Sequence, residues 1–316
     1  MLGSLMDEWS GNMKVLIIGG TYFCGKAFLE FCEQCGDEVT VLNRGTRKLE
    51  HNADGHIREI VVDRKDVASL AKVKAEGSLD GIQAVVDFCA YEAGDIQKVM
   101  QILPQSVTQY IMISTCDVYY RGTGKVLDET AALETRDFGG EAGAYITGKV
   151  ALEKELREQA AERGIHITSV RPAFIYGPYN YAPREGIFFQ WIAKAGQVLF
   201  PMDADGSFQV VYVKDLARFL HLCLLHERAY DEAFNVCGDQ IDYEKFVQAL
   251  ERAVGNSIER VELPVAVVQE KGIPLPFPLT KEESESYDGS KARSLGAEFT
   301  ELSEGLKESY AWFLNS

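Results

Sequence analysis

Tyr145 and Lys149 stand four residues apart in the run Tyr-Ile-Thr-Gly-Lys, a spacing that puts both on one face of a helix. An ammonium beside a phenol favours the ionised phenol, so a tyrosine that ordinarily titrates near ~10 becomes a usable base closer to neutrality. Such a base takes a hydroxyl proton while hydride passes to a nicotinamide. Upstream, 113–119 read Ile-Ser-Thr-Cys-Asp-Val-Tyr, and Thr115 offers a hydroxyl to share the same hydrogen bond. Asp117, with Cys116 beside it, is the candidate second acid/base that an elimination would need; alternatively both only pack next to the substrate.

A second cluster precedes them. Residues 18–25, Ile-Gly-Gly-Thr-Tyr-Phe-Cys-Gly, join a strand-like run to a helix-like one. Gly19, Gly20 and Gly25, with Thr21, Tyr22 and Phe23 between them, form the kind of turn whose free N–H groups and helix dipole accept a pyrophosphate. The next strand-like run ends in Asn43-Arg44-Gly45, where a site selective for NAD usually has an acidic residue on the ribose. No carboxylate stands there to repel a 2′-phosphate and Arg44 could pair with one, so NAD(P) is expected, with NADP slightly favoured. Asp63 and Arg64 follow the third run, where a carboxylate could meet the adenine amino group or simply close a turn.

Positioning these residues requires an alternation of strands and helices. Apolar runs of strand length lie at 14–18, 38–42, 57–62, 84–88, 109–114 and 166–170, and amphipathic stretches at 26–35, 95–103 and 145–163. Strand, helix, strand in repetition predicts an α/β fold, a Rossmann-type doubly wound parallel sheet with helices on both faces. After Arg171-Pro172 the rhythm changes. Gly, Pro and aromatic residues crowd 176–183, and prolines break the apolar runs from 258 to 278. A nucleotide-binding domain over 13–175, a return to it at about 208–237, and a smaller, mainly substrate-binding C-terminal lobe over 176–316 are expected, with 1–12 as an N-terminal extension. In that lobe Tyr179, Asn180, Arg184 and Gln209 are candidate substrate-binding residues, because rings stack on sugars or bases and Arg pairs with diphosphate.

The composition agrees with a folded chain: 46% of its 316 residues are apolar and 25% charged. A formal net charge of −16 repels a phosphate backbone and argues against nucleic acid as partner. No run approaches the ~20 apolar residues of a membrane span, and 1–12 lack the order of a secretory signal, so a cytoplasmic location is expected. The seven cysteines are scattered. Cys32 and Cys35 have the spacing of a metal or redox pair, yet no second pair and no His lies near them in sequence, so they read as helix packing. The His residues are dispersed and no metal site is expected.

Taken together, Gly19-Gly20-Thr21 with Gly25, Asn43-Arg44-Gly45, Ser114-Thr115 with Val118-Tyr119, Tyr145 with Lys149, 171–178, 211–217 and 288–292 resemble the extended or atypical short-chain dehydrogenase/reductases of the NAD-dependent epimerase/dehydratase family. The resemblance covers nearly all of the chain. It implies Tyr145 as base, Lys149 as activator and ribose ligand, Thr115 as hydroxyl partner, Ala90 and Pro172 at the cofactor, a nucleotide-sugar substrate oxidised transiently to a ketone, and a homodimer formed through 95–103 and 145–163. Two departures matter. Tyr22 replaces the middle glycine of the family's fingerprint and is expected to crowd the pyrophosphate, and Cys116-Asp117 replaces the Asp-Glu of the sugar 4,6-dehydratases. Three functions are therefore weighed: a nucleotide-sugar epimerase or dehydratase, an NADP-dependent reductase of a small carbonyl compound, and a catalytically silent RNA-associated or regulatory relative.

Overall fold

The computed structural model describes residues 12–49 and 55–316. The N-terminal extension expected at 1–12 therefore lies, up to residue 11, outside the described residues. In chain order the elements are β1 (Lys14–Ile18), α1 (Phe23–Cys35), β2 (Glu38–Asn43), β3 (Ile57–Val61), α2 (Val67–Ala75), β4 (Ala84–Asp87), α3 (Asp95–Met100), β5 (Gln109–Ile113), β6 (Val126–Leu127) and α4 (Gly140–Arg163). There follow β7 (His166–Pro172), β8 (Phe174–Tyr176), α5 (Glu185–Ala195), β9 (Gln197–Pro201), β10 (Phe208–Tyr212), α6 (Val213–Cys223) and β11 (Glu232–Val236). The chain ends with β12 (Gln240–Ile241), α7 (Tyr243–Val254), β13 (Glu259–Leu263), α8 (Val265–Glu270), β14 (Ser286–Tyr287), α9 (Ser290–Leu295) and α10 (Leu302–Leu314).

Two compact units are built from interleaved segments. The first comprises 1–114, 137–170 and 220–233, the second 115–136, 171–219 and 234–316. The first is organised by a seven-stranded parallel sheet of order β11-β7-β5-β4-β1-β2-β3. The sequence predicts this doubly wound arrangement, and the reason is visible in the strands: Val15, Leu16 and Ile17 of β1 and Val85 and Val86 of β4 are wholly buried, as parallel strands covered on both faces must be. The order reverses between β1 and β4, the switch point at which open α/β sheets bind ligands. Within 208–237 the chain adds β11 to this sheet, whereas β10 joins β8 and β12 in a separate three-stranded one.

Helix boundaries differ from expectation for local reasons. The helix expected over 95–103 stops at Met100, where the Arg163 guanidinium donates to the carbonyls of Met100 and Leu103 and Lys74 Nζ to that of Gln101. These cations satisfy carbonyls that a helix end leaves open. At its other end α4 begins at Gly140, earlier than the expected 145, because Gly139 with φ 65° admits the chain into the helix.

Under the switch point lies a buried charge pair. Arg64 Nη1 and Nη2 donate to Asp87 Oδ1 and Oδ2 at 3.1 and 2.7 Å, and Tyr110 Oη donates to Asp87 Oδ2 at 2.6 Å. Burial alone would raise Asp87, but the Arg64 guanidinium holds its carboxyl below the ordinary range.

The second unit is held by rings. Phe208 stacks on Phe277 at 4.0 Å between centroids, and Phe188, Tyr243 and Phe246 present edges to the same ring or its neighbours. A Cβ at Gly206 would lie 2.3 Å from the carbonyl oxygen of Pro278, so this glycine lets the proline-rich segment close on the unit.

Removing one member of the buried pair leaves a lone charge in the core, which typically costs 3–5 kcal/mol. Asp87→Ala is expected to lose about that much in urea unfolding, and the apolar double variant R64M/D87L to regain most of it. A single variant within ~1 kcal/mol of wild type would show that the pair is not needed.

Candidate active site

The glycine turn follows β1 directly. Gly19 has φ +89°, and a Cβ there would come within 2.1 Å of Cys89 Sγ; a Cβ on Gly25 would lie 2.3 Å from the Gly19 carbonyl oxygen. At Gly19 and Gly25 the chain thus packs more closely than any side chain would allow. Tyr22, the N-cap of α1, makes no side-chain cap hydrogen bond, and the first turn holds no acidic residue. A positive helix end and close backbone approach are what a dinucleotide pyrophosphate needs. Phe23 is buried and held at φ 41°, in the left-handed region. Thr21 is half-buried on the turn.

Tyr22 does not stand over the turn as a free ring. The Arg47 guanidinium lies 3.6 Å from its centroid, so the side chain that replaces a glycine recruits an exposed cation from the loop after β2. Sequence reasoning missed Arg47, and also Glu59. Asn43 Nδ2 donates to Glu59 Oε1 at 2.7 Å, and Asn43 Oδ1 accepts from the Gly45 amide at 2.6 Å. A carboxylate therefore does stand at the end of β2, delivered by β3. Arg44 is exposed beside it.

For Asp63 and Arg64 the sequence allows either a contact to the adenine or a strand-ending turn. Asp63 Oδ1 accepts from the Lys65 amide at 2.8 Å and closes a turn. Arg64 is buried and engaged with Asp87, its guanidinium also reaching the Asp95 carbonyl at 3.2 Å. The signal for that was the Asp ending a strand, which a lone sequence does not pair with a particular Arg.

On α4, Tyr145 is 40% exposed while Lys149 is buried. Lys149 Nζ donates to the carbonyls of Ala90 at 3.0 Å and Ile113 at 2.8 Å, which lie just beyond the end of β4 and at the end of β5. It is 5.9 Å from the Tyr145 ring centroid and 4.9 Å from that of Tyr91. Burial lowers Lys149 to about 8, against the opposing pull of Asp87. One turn further along, buried Glu153 accepts from Ser114 Oγ at 2.6 Å. Its position four residues past Lys149 was the available signal.

The remaining candidates belong to the second unit. Thr115 Oγ1 accepts from the Asp117 amide at 3.1 Å and donates to Asp117 Oδ2 at 3.3 Å, while Asp117 Oδ1 is paired with Arg121. Cys116 is buried, its Sγ donating to the Arg171 carbonyl at 3.1 Å, and burial pushes its thiol well up. Pro172 ends β7. Asn180 Nδ2 donates to both oxygens of Glu185 and its Oδ1 accepts from the Ala182 amide, so its amide organises its own loop. Gln209 is occupied in the same way, with Gly238 and Tyr287. Arg184 donates to the Ile175 carbonyl at 2.7 Å, and Tyr179 meets Trp312 edge-on at 5.6 Å. Among the described residues no group of three or more His, Cys, Asp or Glu could hold a metal ion, and no helix is long and apolar enough to cross a membrane.

The family model described as NAD dependent epimerase/dehydratase matches residues 15–237. The chain belongs to that family. Among curated proteins it is similar to the chloroplast stem-loop binding protein of 41 kDa b of Arabidopsis thaliana, 29% identical over 265 residues. That match covers 80% of this chain and 66% of the relative, just under two thirds of its length. Solved structures of the same fold include an epimerase from Methanothermobacter thermautotrophicus, with a TM-score of 0.78, 18% identity and coverage of 99% of this chain and 96% of that one. The UDP-glucose 4-epimerase of Thermotoga maritima with UDP-glucose superposes with a TM-score of 0.73 and 22% identity over 96% and 99%. The UDP-glucuronic acid 4-epimerase of Bacillus cereus with NAD gives 0.74 and 17% over 96% and 99%.

For this epimerase/dehydratase-family chain, Gly19→Ala combines a forbidden φ with a 2.1 Å clash. It is expected to weaken NAD binding at least ~10-fold by calorimetry. Unchanged affinity would remove the turn from the cofactor site.

Proposed function

We propose that this protein is an NAD-dependent nucleotide-sugar epimerase. The observation that carries this is the disposition of α4, with Lys149 buried on the carbonyls of Ala90 and Ile113 and Tyr145 exposed one turn before it. Bound NAD would supply reversible hydride transfer at a sugar carbon, with no net consumption of cofactor. Tyr145 takes the hydroxyl proton and returns it to the product, and Lys149, fixed by its two carbonyls, favours the phenolate and can also meet the ribose. Thr115 supplies the second hydroxyl. The glycine turn with Arg47 and Arg44 offsets the pyrophosphate charge on a chain whose net charge is −16.

Epimerisation is favoured over dehydration because elimination needs a second acid/base. Asp117 is tied to Arg121 and Thr115, and Cys116 is a buried thiol bonded to a carbonyl. NAD is favoured over NADP, against the preference drawn from the sequence alone, because the Glu59 carboxylate at Asn43 would repel a 2′-phosphate. Homodimerisation through α3 and α4 and a cytoplasmic location belong to the same proposal.

The test begins with the small molecules released when the purified protein is denatured. Mass spectrometry is expected to find retained NAD, and an NMR survey of UDP-sugars to find one equilibrated with its epimer. Tyr145→Phe is expected to lose a factor of about 10²–10⁴ in turnover, and Asp117→Asn to stay within about threefold of wild type. A dehydrated product, or stoichiometric consumption of reduced cofactor, would overturn epimerisation. Glu59→Gln is expected to narrow the preference for NAD over NADP.

The pH dependence follows from Lys149. Its ammonium is complete below about 8 in the folded protein and is lost as pH rises through that value, so turnover should fall on that limb. Since burial lowers this group relative to the unfolded chain, Lys149 opposes folding most below that pH, an effect relieved on going to higher pH. A pH-rate profile flat from pH 7 to about 9.5 would contradict this role.

An RNA-associated role is the alternative, supported by the name of the Arabidopsis relative. Tight RNA binding unaffected by Tyr145→Phe, with no turnover on any sugar nucleotide, would select it.

A further inference from the structure

The pair Cys32 and Cys35 has no His near it in sequence, but the fold supplies one. His221, on α6, lies on the C-terminal end of α1, its Nε2 2.9 Å from Asp37 Oδ2, and it also hydrogen-bonds the side chain of Cys35. Asp37 follows the Gly36 cap of α1, and its other oxygen accepts from the Met13 amide at 3.1 Å. Phe31 fixes the imidazole from the side, edge-on at 5.2 Å. Cys35 is exposed, whereas Cys32, one turn back on the same helix, is buried.

This is the layout of an activated thiol. We propose that Cys35 is an oxidisable nucleophile served by His221 and Asp37, and that Cys32 is the thiol that resolves it into a disulfide. The last turn of α1 has no basic residue of its own, and a helix C-terminus disfavours an anion, so the imidazolium has to come from elsewhere in the fold. Burial by itself disfavours that cation, but Asp37 and Cys35 outweigh it and His221 is raised to about 9. The titratable groups acting on it are therefore Asp37 and Cys35. Cys32 remains a thiol, pushed up by burial and by Asp37 and Cys35. Residues three apart on a helix have Cβ atoms about 5–6 Å apart against the ~3.8 Å of a disulfide, so the final turn must bring them together by about 1–2 Å to close the bond.

The oxidant is a hydroperoxide. The Cys35 thiolate attacks its terminal oxygen, the O–O bond breaks, and Cys35 becomes a sulfenic acid while hydroxide or alkoxide leaves. Cys32 then attacks the sulfenic sulfur. The S–O bond breaks, the Cys32 proton leaves with the hydroxyl as water, and the two sulfurs have together given up two electrons.

The test uses the full-length reduced protein and does not depend on catalysis. Treated with hydrogen peroxide, blocked and mapped by mass spectrometry, it should form a Cys32–Cys35 bridge before other cysteines oxidise. Cys32→Ser should instead accumulate a dimedone adduct on Cys35. Iodoacetamide should alkylate Cys35 about tenfold faster at pH 7 in the native protein than in a peptide spanning 29–39, and His221→Gln should abolish the difference. The peptide comparison stands even where His221→Gln does not fold. Equal rates in native protein and peptide would overturn activation by His221; oxidation of Cys35 with no bridge to Cys32 would overturn the resolving role.

Discussion

An ammonium cannot be buried without partners, and the site is arranged around that constraint. Lys149 Nζ reaches the interior of the first unit only because two main-chain carbonyls, of Ala90 and Ile113, stand where β4 and β5 run out. The lysine donates to both. One side chain therefore fixes α4 across two adjacent strand ends, and with it the height at which Tyr145 emerges. The Asp87–Arg64–Tyr110 cluster supports the same strands from below, and Asp87 is the largest counter-charge acting on the lysine.

Much of this was legible in the sequence because it is local. Strand runs, the glycine turn and the four-residue spacing of Tyr145 and Lys149 each depend on neighbours along the chain. What was hidden depends on partners brought from afar. Nothing near Arg64 shows that it will pair with Asp87, nothing near Asn43 shows that Glu59 on the next strand will hold its amide, and His221 is 184 residues from Asp37. The helix over 95–103 ended early for a related reason, since Arg163 and Lys74 cap it from other helices. The polar side chains expected near a substrate have partners that sequence alone does not show: Asn180 bonds within its own loop, Gln209 on β10 bonds Gly238 and Tyr287, and Arg184 bonds the Ile175 carbonyl.

The charge balance also changes meaning once positions are known. A net charge of −16 describes the whole surface, yet the turn before α1 has no acidic residue in its first helical turn and gathers Arg47 against Tyr22. Acidic surroundings and a local cationic cradle are compatible because screening confines the effect of surface charges to about a Debye length, ~8 Å at physiological salt.

The interleaving of the two units has a consequence for how the chain is made. The strand that completes the seven-stranded sheet, β11, is followed in the first unit by nothing and preceded by the long excursion 171–219. A nascent chain emerging from the ribosome must therefore carry an unfinished sheet, with β7 as an open edge, while most of that excursion is synthesised. Open parallel edges invite pairing with other chains, so biogenesis of this fold depends on holding one edge quiet until its last strand arrives.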